Sequence, residues 1–320
     1  MSSLKQIIYD YSKHNTVLND FYHALSRIRI QLSKHLSDEN YLKRQFRKVF
    51  GYHLDLNNPK TFNEKLQWLK LHDRNPEYQK LVDKYEVRKY VKETIGEEYL
   101  VPLIGIYDDP EDIYFNKLPN QFVLKPTHTS GSVIICRDKN SLDLKQTKKT
   151  LAKWMQDNYY WRGREWPYKE VLPRIICEEI ISTEDSSLPK DYKLFCFSGI
   201  PKVAFVASDR GMDTKFDFYD ILWNKLPLSQ HYPNSNLDMK KPLQWEEMIK
   251  LASKLSKQFP HVRVDFYIDA NGYIKFGEMT FYHFSGFQVF EPREYDELFG
   301  SWIDLSLVEK NQKKDDNVRK

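Results

Sequence analysis

The sequence predicts an α+β protein, and three observations predict it. Short apolar, strand-like runs dominate from Tyr99 onward. Helical-period segments interrupt them. Asn271-Gly272 separates two alternating runs, the strongest short signal for a β-hairpin. Strand pairs mixed with helices form the α+β layout.

Taken in order, residues 1–50 hold nine Lys/Arg against four Asp/Glu, while the rest of the chain is close to neutral. Apolar residues recur at near-helical spacing from Val17 to Leu36 (Leu18, Phe21, Leu25, Ile28, Leu32). Two basic amphipathic helices are therefore expected within residues 1–50. They belong to an N-terminal appendage, residues 1–56, that either packs on the main body or touches anionic membrane lipid. Thr61-Phe62-Asn63-Glu64 is a capping box after Pro59, opening a helix with Phe62, Leu66 and Leu69 on its apolar face. A second helix is expected from about Tyr78 to Ile95, ending at Gly96. Strands follow at 99–107, 121–126, 132–137, 174–182, 190–198, 201–208 and 214–222, with helices at about 143–158 and 244–258. The hairpin strands are 261–269 and 273–281. Residues 57–305 make the main domain, and the charged tail 306–320 is expected to be disordered.

Counting excludes several classes. The chain has 320 residues and 11 glycines, no two of them two apart, so G-x-G-x-x-G cannot occur. Gly272 and Gly277 have Walker A spacing, but Glu278 stands where that loop needs Lys. No run of about 20 apolar residues is present, so no membrane span is expected. The amino terminus lacks a secretory pattern. Cys136, Cys177 and Cys196 each sit in an apolar run and read as reduced core residues of a cytoplasmic protein. A net charge of +4 is too mild to imply nucleic acid.

The most informative stretch is Val262 to Gly286. With a two-residue Asn271-Gly272 loop, Ala270 pairs with Tyr273, Asp265 with Glu278 and Arg263 with Thr280. Opposed carboxylates repel, so a cation must neutralise them or one must keep its proton. Arg263 is one candidate; a divalent ion such as Mg²⁺ is the other, since Mg²⁺ takes few carboxylates and completes its shell with substrate phosphates. Upstream, Lys125 ends an apolar strand, and Ser130-Gly131-Ser132 forms a short loop able to fold over a phosphate. Lys84, Glu178, Glu179 and Lys193 are further charged positions along the chain, each of which, taken singly, reads more readily as a surface or structural charge.

The succession of these residues resembles the ATP-grasp enzymes. It is closest to their TupA-like subgroup, associated with teichuronopeptide and surface-polysaccharide synthesis. The segments that carry the resemblance are NPKTFNEKLQWLKLHDR, VDKYEVRKYVKETIG, LPNQFVLKP, IICEEII, DYKLFCFSG, VRVDFY and FGEMTF, spread over about residues 57–305. The resemblance implies two α+β subdomains gripping ATP. Lys84 and Lys125 would neutralise nucleotide phosphates beneath the loop of Ser130, Gly131 and Ser132. Glu178 and Glu179 would meet adenine and ribose at the hinge, with Lys193 nearby. Asp265 and Glu278 would bind Mg²⁺. Thr280 stands where many ATP-grasp enzymes place a ligating Asn, and a hydroxyl is the poorer ligand.

The implied chemistry is carboxylate–amine ligation: ATP phosphorylates a carboxylate, and an amine displaces the phosphate to leave an amide. Arg263 is the candidate for holding the carboxylate or acyl phosphate, or else a salt-bridge partner of Asp265 or Glu278. The expected partners are an amine or amino acid and a uronic-acid-containing glycan or precursor of a capsule-like surface polymer. The expected location is cytoplasmic, at or near the inner membrane face through residues 1–50. A sugar kinase and a sugar-nucleotide glycosyltransferase are the alternatives. His128, Arg210 and His283 are further polar residues in candidate substrate regions.

Overall fold

The computed structural model describes residues 30–183, 188–209 and 213–308. Much of the basic appendage, Arg210 and residues 309–320 of the tail lie outside the described residues. Of the appendage, helix α1 (Asp38–Phe50) is described. Ser37 caps it, accepting from the Asn40 N–H, and Gly51 ends it with φ +82°. Arg47 and Lys48 lie in its last turn and its Tyr41, Leu42 and Phe46 are buried, joined by Leu54 in a small separate core.

Helix α2 (Phe62–His72) begins at the expected capping box, with Thr61 and Glu64 each bonding the other's backbone N–H. Phe62, Leu66 and Leu69 are buried as expected, but so is a polar stripe, Asn63, Gln67 and Lys70. The single helix expected from Tyr78 to Ile95 is instead two, α3 (Glu77–Val82) and α4 (Val87–Thr94). The break has a local cause: the Asp83 carboxylate accepts from the Tyr85 and Glu86 N–H groups and competes with the helix for them. Lys84 therefore sits in a turn rather than on a helix face.

Two antiparallel sheets follow. The first contains β1 (Leu103–Tyr107), β2 (Phe122–Pro126), β3 (Ile134–Cys136) and β4 (Ile175–Glu178), in the order β1-β4-β2-β3. Helix α5 (Leu144–Met155) closes its core through Leu151, and α6 (Tyr160–Gly163) is a short turn after it. The second contains β5 (Asp191–Phe197), β6 (Ile200–Ser208), β7 (Lys215–Asp220), β8 (Val262–Ile268) and β9 (Ile274–Thr280), in the order β7-β6-β5-β8-β9. Helix α7 (Trp245–Ser256) packs on β5, β6 and β8, and α8 (Glu294–Ser301) packs on α2. The three cysteines are buried and unpaired. Among the described residues, no helix is long and apolar enough to cross a membrane.

The hairpin of β8 and β9 corrects one expectation and keeps another. Its loop has three residues, not two. Asp269 N–H donates to the Tyr273 carbonyl, and the Asp269 carboxylate accepts from the Asn271 and Tyr273 N–H groups. Gly272 takes the left-handed position such a loop requires, φ +81°. The register there is one residue off the expected one, with Ile268 opposite Ile274. A bulge then restores it. Phe266 pairs with Phe276 but Val264 with Met279, so Asp265 opposes both Gly277 and Glu278. Arg263 faces Thr280 as expected.

Candidate active site

One cleft of about 430 Å³ lies between the two sheets. Among the residues that line it are Lys84, Lys125, Ser130, Gly131, Ser132, Glu178, Glu179, Lys193, Arg263, Glu278 and Thr280, brought together from distant parts of the chain. Asp265 stands immediately behind this wall and is 0% exposed.

On the first sheet, Lys125 Nζ lies 2.5 Å from Glu178 Oε2, and Arg88 reaches the other oxygen at 3.0 Å. Glu178 is thus a buried, neutralised carboxylate, while Glu179 beyond the strand end is exposed. Lys84 is fixed at both ends to the segment before the loop of Ser130, Gly131 and Ser132: its N–H donates to the Thr127 carbonyl and its ammonium to that of Thr129. Burial brings its ammonium down to about 8, against the pull of Glu278. Gly131 has φ +77°, a conformation that favours glycine, and a Cβ there would meet open space. His128 is a structural residue, buried with Nε2 bonded to the Asp157 carbonyl.

On the second sheet the charges form one network. Lys193 lies directly opposite Asp265 across β5 and β8; its ammonium bonds Asp265 and sits 2.6 Å from Asp191. Arg263 grips Asp265 with two bonds, Nε to Oδ1 at 2.7 Å and an Nη2 donor to Oδ2 at 2.8 Å. The same guanidinium reaches Glu278 Oε1 and Thr280 Oγ1, each at 3.0 Å. Its Nη1 donates to His283 Nδ1 at 2.7 Å, which leaves His283 Nε2–H to donate to Gln230 Oε1. The salt-bridge role of Arg263 is therefore the one seen here, and His283 positions it.

Burial pushes the Asp265 carboxyl above its usual range, with the Asp191 carboxylate adding to the push and Arg263 and Lys193 pulling against it; both cations are held charged above their ordinary ranges. Burial opposes the charge on Glu278 too, yet Lys193, Arg263 and Lys84 bring it down to about 2. As donors for Mg²⁺ the two carboxylates differ. Glu278 is 34% exposed, and its Oε2 takes no bond from the described residues. Asp265 has both oxygens occupied by cations. The described residues hold no group of three or more acidic, His or Cys side chains with metal-site geometry.

Several cleft residues were not singled out from the sequence. Asp191 comes with Lys193 on β5, and Tyr159, Glu165, Tyr168 and Ser285 come from irregular backbone. Arg164, Phe284 and Ser285 all have left-handed φ, at 56°, 46° and 54°. Nothing in residue type or spacing announces that. Asp191 alone carried a signal: an acidic residue two positions before a buried lysine on the same strand face.

A model of the family TupA-like ATPgrasp matches residues 64–304. No curated protein matches the chain. Similar solved structures include the ATP-grasp ligase PsnB complexed with minimal precursor, at 10% identity and TM-score 0.36 over 64% of this chain and 54% of that one. The L-amino acid ligase from Bacillus licheniformis aligns at 12% identity and TM-score 0.43, over 78% and 57%. The D-alanine–D-alanine ligase from Bacillus anthracis aligns at 15% identity and TM-score 0.44, over 72% and 69%. The chain spans only about half the length of PsnB. These likenesses are distant, and the assignment rests on the family match.

Proposed function

Because the chain belongs to the TupA-like ATP-grasp family, whose fold its two antiparallel sheets make, we propose that it is an ATP-dependent carboxylate–amine ligase. The observation that carries this reading is the convergence of three lysines (Lys84, Lys125, Lys193) and the Glu278 carboxylate on one cleft between the sheets. Lys84 and Lys125 would take the nucleotide phosphates beneath Ser130, Gly131 and Ser132, and Val123, Ile180 and Leu188 offer apolar surface to adenine. Glu179 would meet the ribose, with Glu178 fixing Lys125 from behind. Glu278 would hold Mg²⁺, with Thr280 beside it; Asp265 would join only where Arg263 or Lys193 gives up an oxygen. Bound there, the ion would offset charge on the transferring phosphoryl group. Arg263, the candidate anchor for the carboxylate or acyl phosphate, would make that exchange by turning from Asp265 to substrate. The amine or amino acid and a uronic-acid-containing surface glycan, or its precursor, are the proposed substrates.

The test is full-length protein with Mg-ATP, mixed amino acids and hexuronates, read by ADP release and product mass. An amide with free phosphate is expected. A phosphorylated sugar would instead make it a kinase. ATP consumption that never depends on a carboxylate would end the ligase reading. Thermal stabilisation by UDP-sugars and not by ATP would favour the glycosyltransferase. Contact of residues 1–50 with a membrane face belongs to the same proposal; the basic last turn of α1 supports it.

A further inference from the structure

Glu165 is a buried carboxylate, 4% exposed, that lines the cleft outside the hairpin network. Its Oε1 accepts from the Ser285 hydroxyl, and its Oε2 takes no bond from the described residues. Tyr159 and Tyr168 line the cleft with it, their ring centroids 4.9 Å apart. Glu278 and Arg263 line the same cleft, so the carboxyl shares it with the groups assigned to the metal and to the carboxylate substrate. Burial pushes it up and Lys70 pulls it down.

The backbone that presents Glu165 is built at some cost. Arg164 and Ser285, on the two sides of the contact, are both left-handed without being glycine. Lys70 holds them together: its buried ammonium donates to the carbonyls of Gly163 and Ser285, each at 2.7 Å. Gln67 adds bonds to the Ser285 and Gly286 carbonyls. A Cβ on Gly163 would fall 2.8 Å from Ser285 Cβ, so only glycine fits beneath the contact. Packing does not need a carboxylate here, because an apolar side chain would fill the same space without desolvation cost.

We propose that Glu165 receives the ammonium of the amine substrate beside the Tyr159–Tyr168 ring pair and takes a proton from it. This rests on the ligase reading above. An ammonium suits the place because one free carboxylate oxygen and aromatic rings both attract it. A carboxylate substrate would be repelled from Glu165 and belongs on the Arg263 side. The step balances as follows. R–NH3⁺ gives one proton to Glu165, and the freed lone pair forms the C–N bond at the acyl phosphate carbonyl. The C–O bond to phosphate then breaks, and the second ammonium proton leaves with the phosphate.

The experiment compares wild type with Glu165→Gln, each with Mg-ATP and a panel of glucuronate, galacturonate and amino acids. The nucleophile is either an amino acid or hydroxylamine, which is already neutral and needs no base. Amide formation should fall by about 100-fold or more in Glu165→Gln, the usual range for a lost general base. Hydroxamate formation should stay within about threefold. Ser285→Ala keeps the carboxylate, guards against a folding defect, and should raise the amine KM while sparing hydroxamate. The proposal is overturned if amide formation survives in Glu165→Gln, if hydroxamate falls equally, or if wild type makes hydroxamate but no amide from any amine offered. Absence of hydroxamate in wild type with every carboxylate instead overturns the ligase reading beneath it.

Discussion

Two buried charge clusters face the same cleft and are held in opposite ways. In the hairpin cluster, Arg263, Asp265, Lys193 and Glu278 stand on regular strands, and their partners are set by register: Lys193 opposite Asp265, Asp265 opposite the Gly277-Glu278 bulge. In the loop cluster, Lys70, Glu165 and Ser285 come from a helix and two irregular segments with left-handed backbone. The first is nearly closed upon itself, each carboxylate answered by a cation. Each leaves one carboxylate oxygen, Glu278 Oε2 or Glu165 Oε2, without a bond from the described residues, but in the second no cation among them bonds the carboxylate directly. Strands can hold a neutral network with little strain, whereas an unanswered carboxylate needs a rigid support, and α2 supplies it.

The largest expected effects fall on the hairpin cluster. Glu278→Gln should lower ligase activity by about 10³ or more, the scale of lost charge stabilisation at a transferring group, with the fold intact. Asp265→Asn should lose activity and also about 3 kcal/mol of stability, because it leaves two buried cations short of a partner. Urea unfolding beside the activity assay checks both. If Asp265→Asn is inactive but fully stable, the network does not hold the fold. If Glu278→Gln keeps activity, the cleft carboxylate is misassigned.

Lys70→Met comes next and attacks the other cluster. It leaves the Gly163 carbonyl without this donor and removes the cation behind Glu165, which should cost about 2 kcal/mol. Burial brings the Lys70 ammonium down to about 7. Between that pH and the ordinary lysine value of 10.5, the unfolded chain binds a proton that the folded chain does not, so stability should rise with pH across that window. In Lys70→Met the rise should vanish. A rise that persists would place its source outside the loop cluster.

These contrasts also explain what could be read from the sequence. The strands, the capping box at Thr61 and the facing of Arg263 with Thr280 were legible because period-two alternation projects directly onto a sheet. Asp265 and Glu278 were legible as neighbours even though the turn was misjudged, since the bulge undid the one-residue error. Asp83 broke a helix because its side chain competes locally for N–H groups, which apolar spacing does not register. Glu165 was illegible: its position depends on the left-handed Arg164 and on Lys70, 95 positions earlier in the chain. The polar stripe of α2 looks solvent-facing by composition, and only the fold shows that it bonds the loop at residues 285–288.

Beneath the hairpin cluster, His261 offers an acid-side counterpart to Lys70. Its ring sits among Phe62, Phe195 and Phe197; Nδ1–H donates to the Cys196 carbonyl, and Nε2 has no partner among the described residues. Burial lowers its titration from 6.5 to about 3. Between those values the unfolded chain takes up a proton that the folded chain refuses, so stability falls as pH drops through the window. The loss should reach about 2 kcal/mol at pH 5. His261→Phe should flatten this limb while leaving the alkaline rise of Lys70 in place. If both limbs change together, the two clusters are one cooperative unit.

The smallest expected effect separates the turn from the site. Gly272 has φ +81°, so Gly272→Ala should cost about 1 kcal/mol in strain at the hairpin loop. Its activity should not change, because the bulge lies between the loop and the charges. Gly277 is the contrasting position: a Cβ there would come within 3.0 Å of the Tyr267 ring and 3.3 Å of Asp265 Cβ. Gly277→Ala should therefore impair activity through displacement of Asp265 or the bulge. If Gly272→Ala harms activity as much as Gly277→Ala, the turn sets the alignment of Glu278 with Arg263, and the bulge does not act as its anchor.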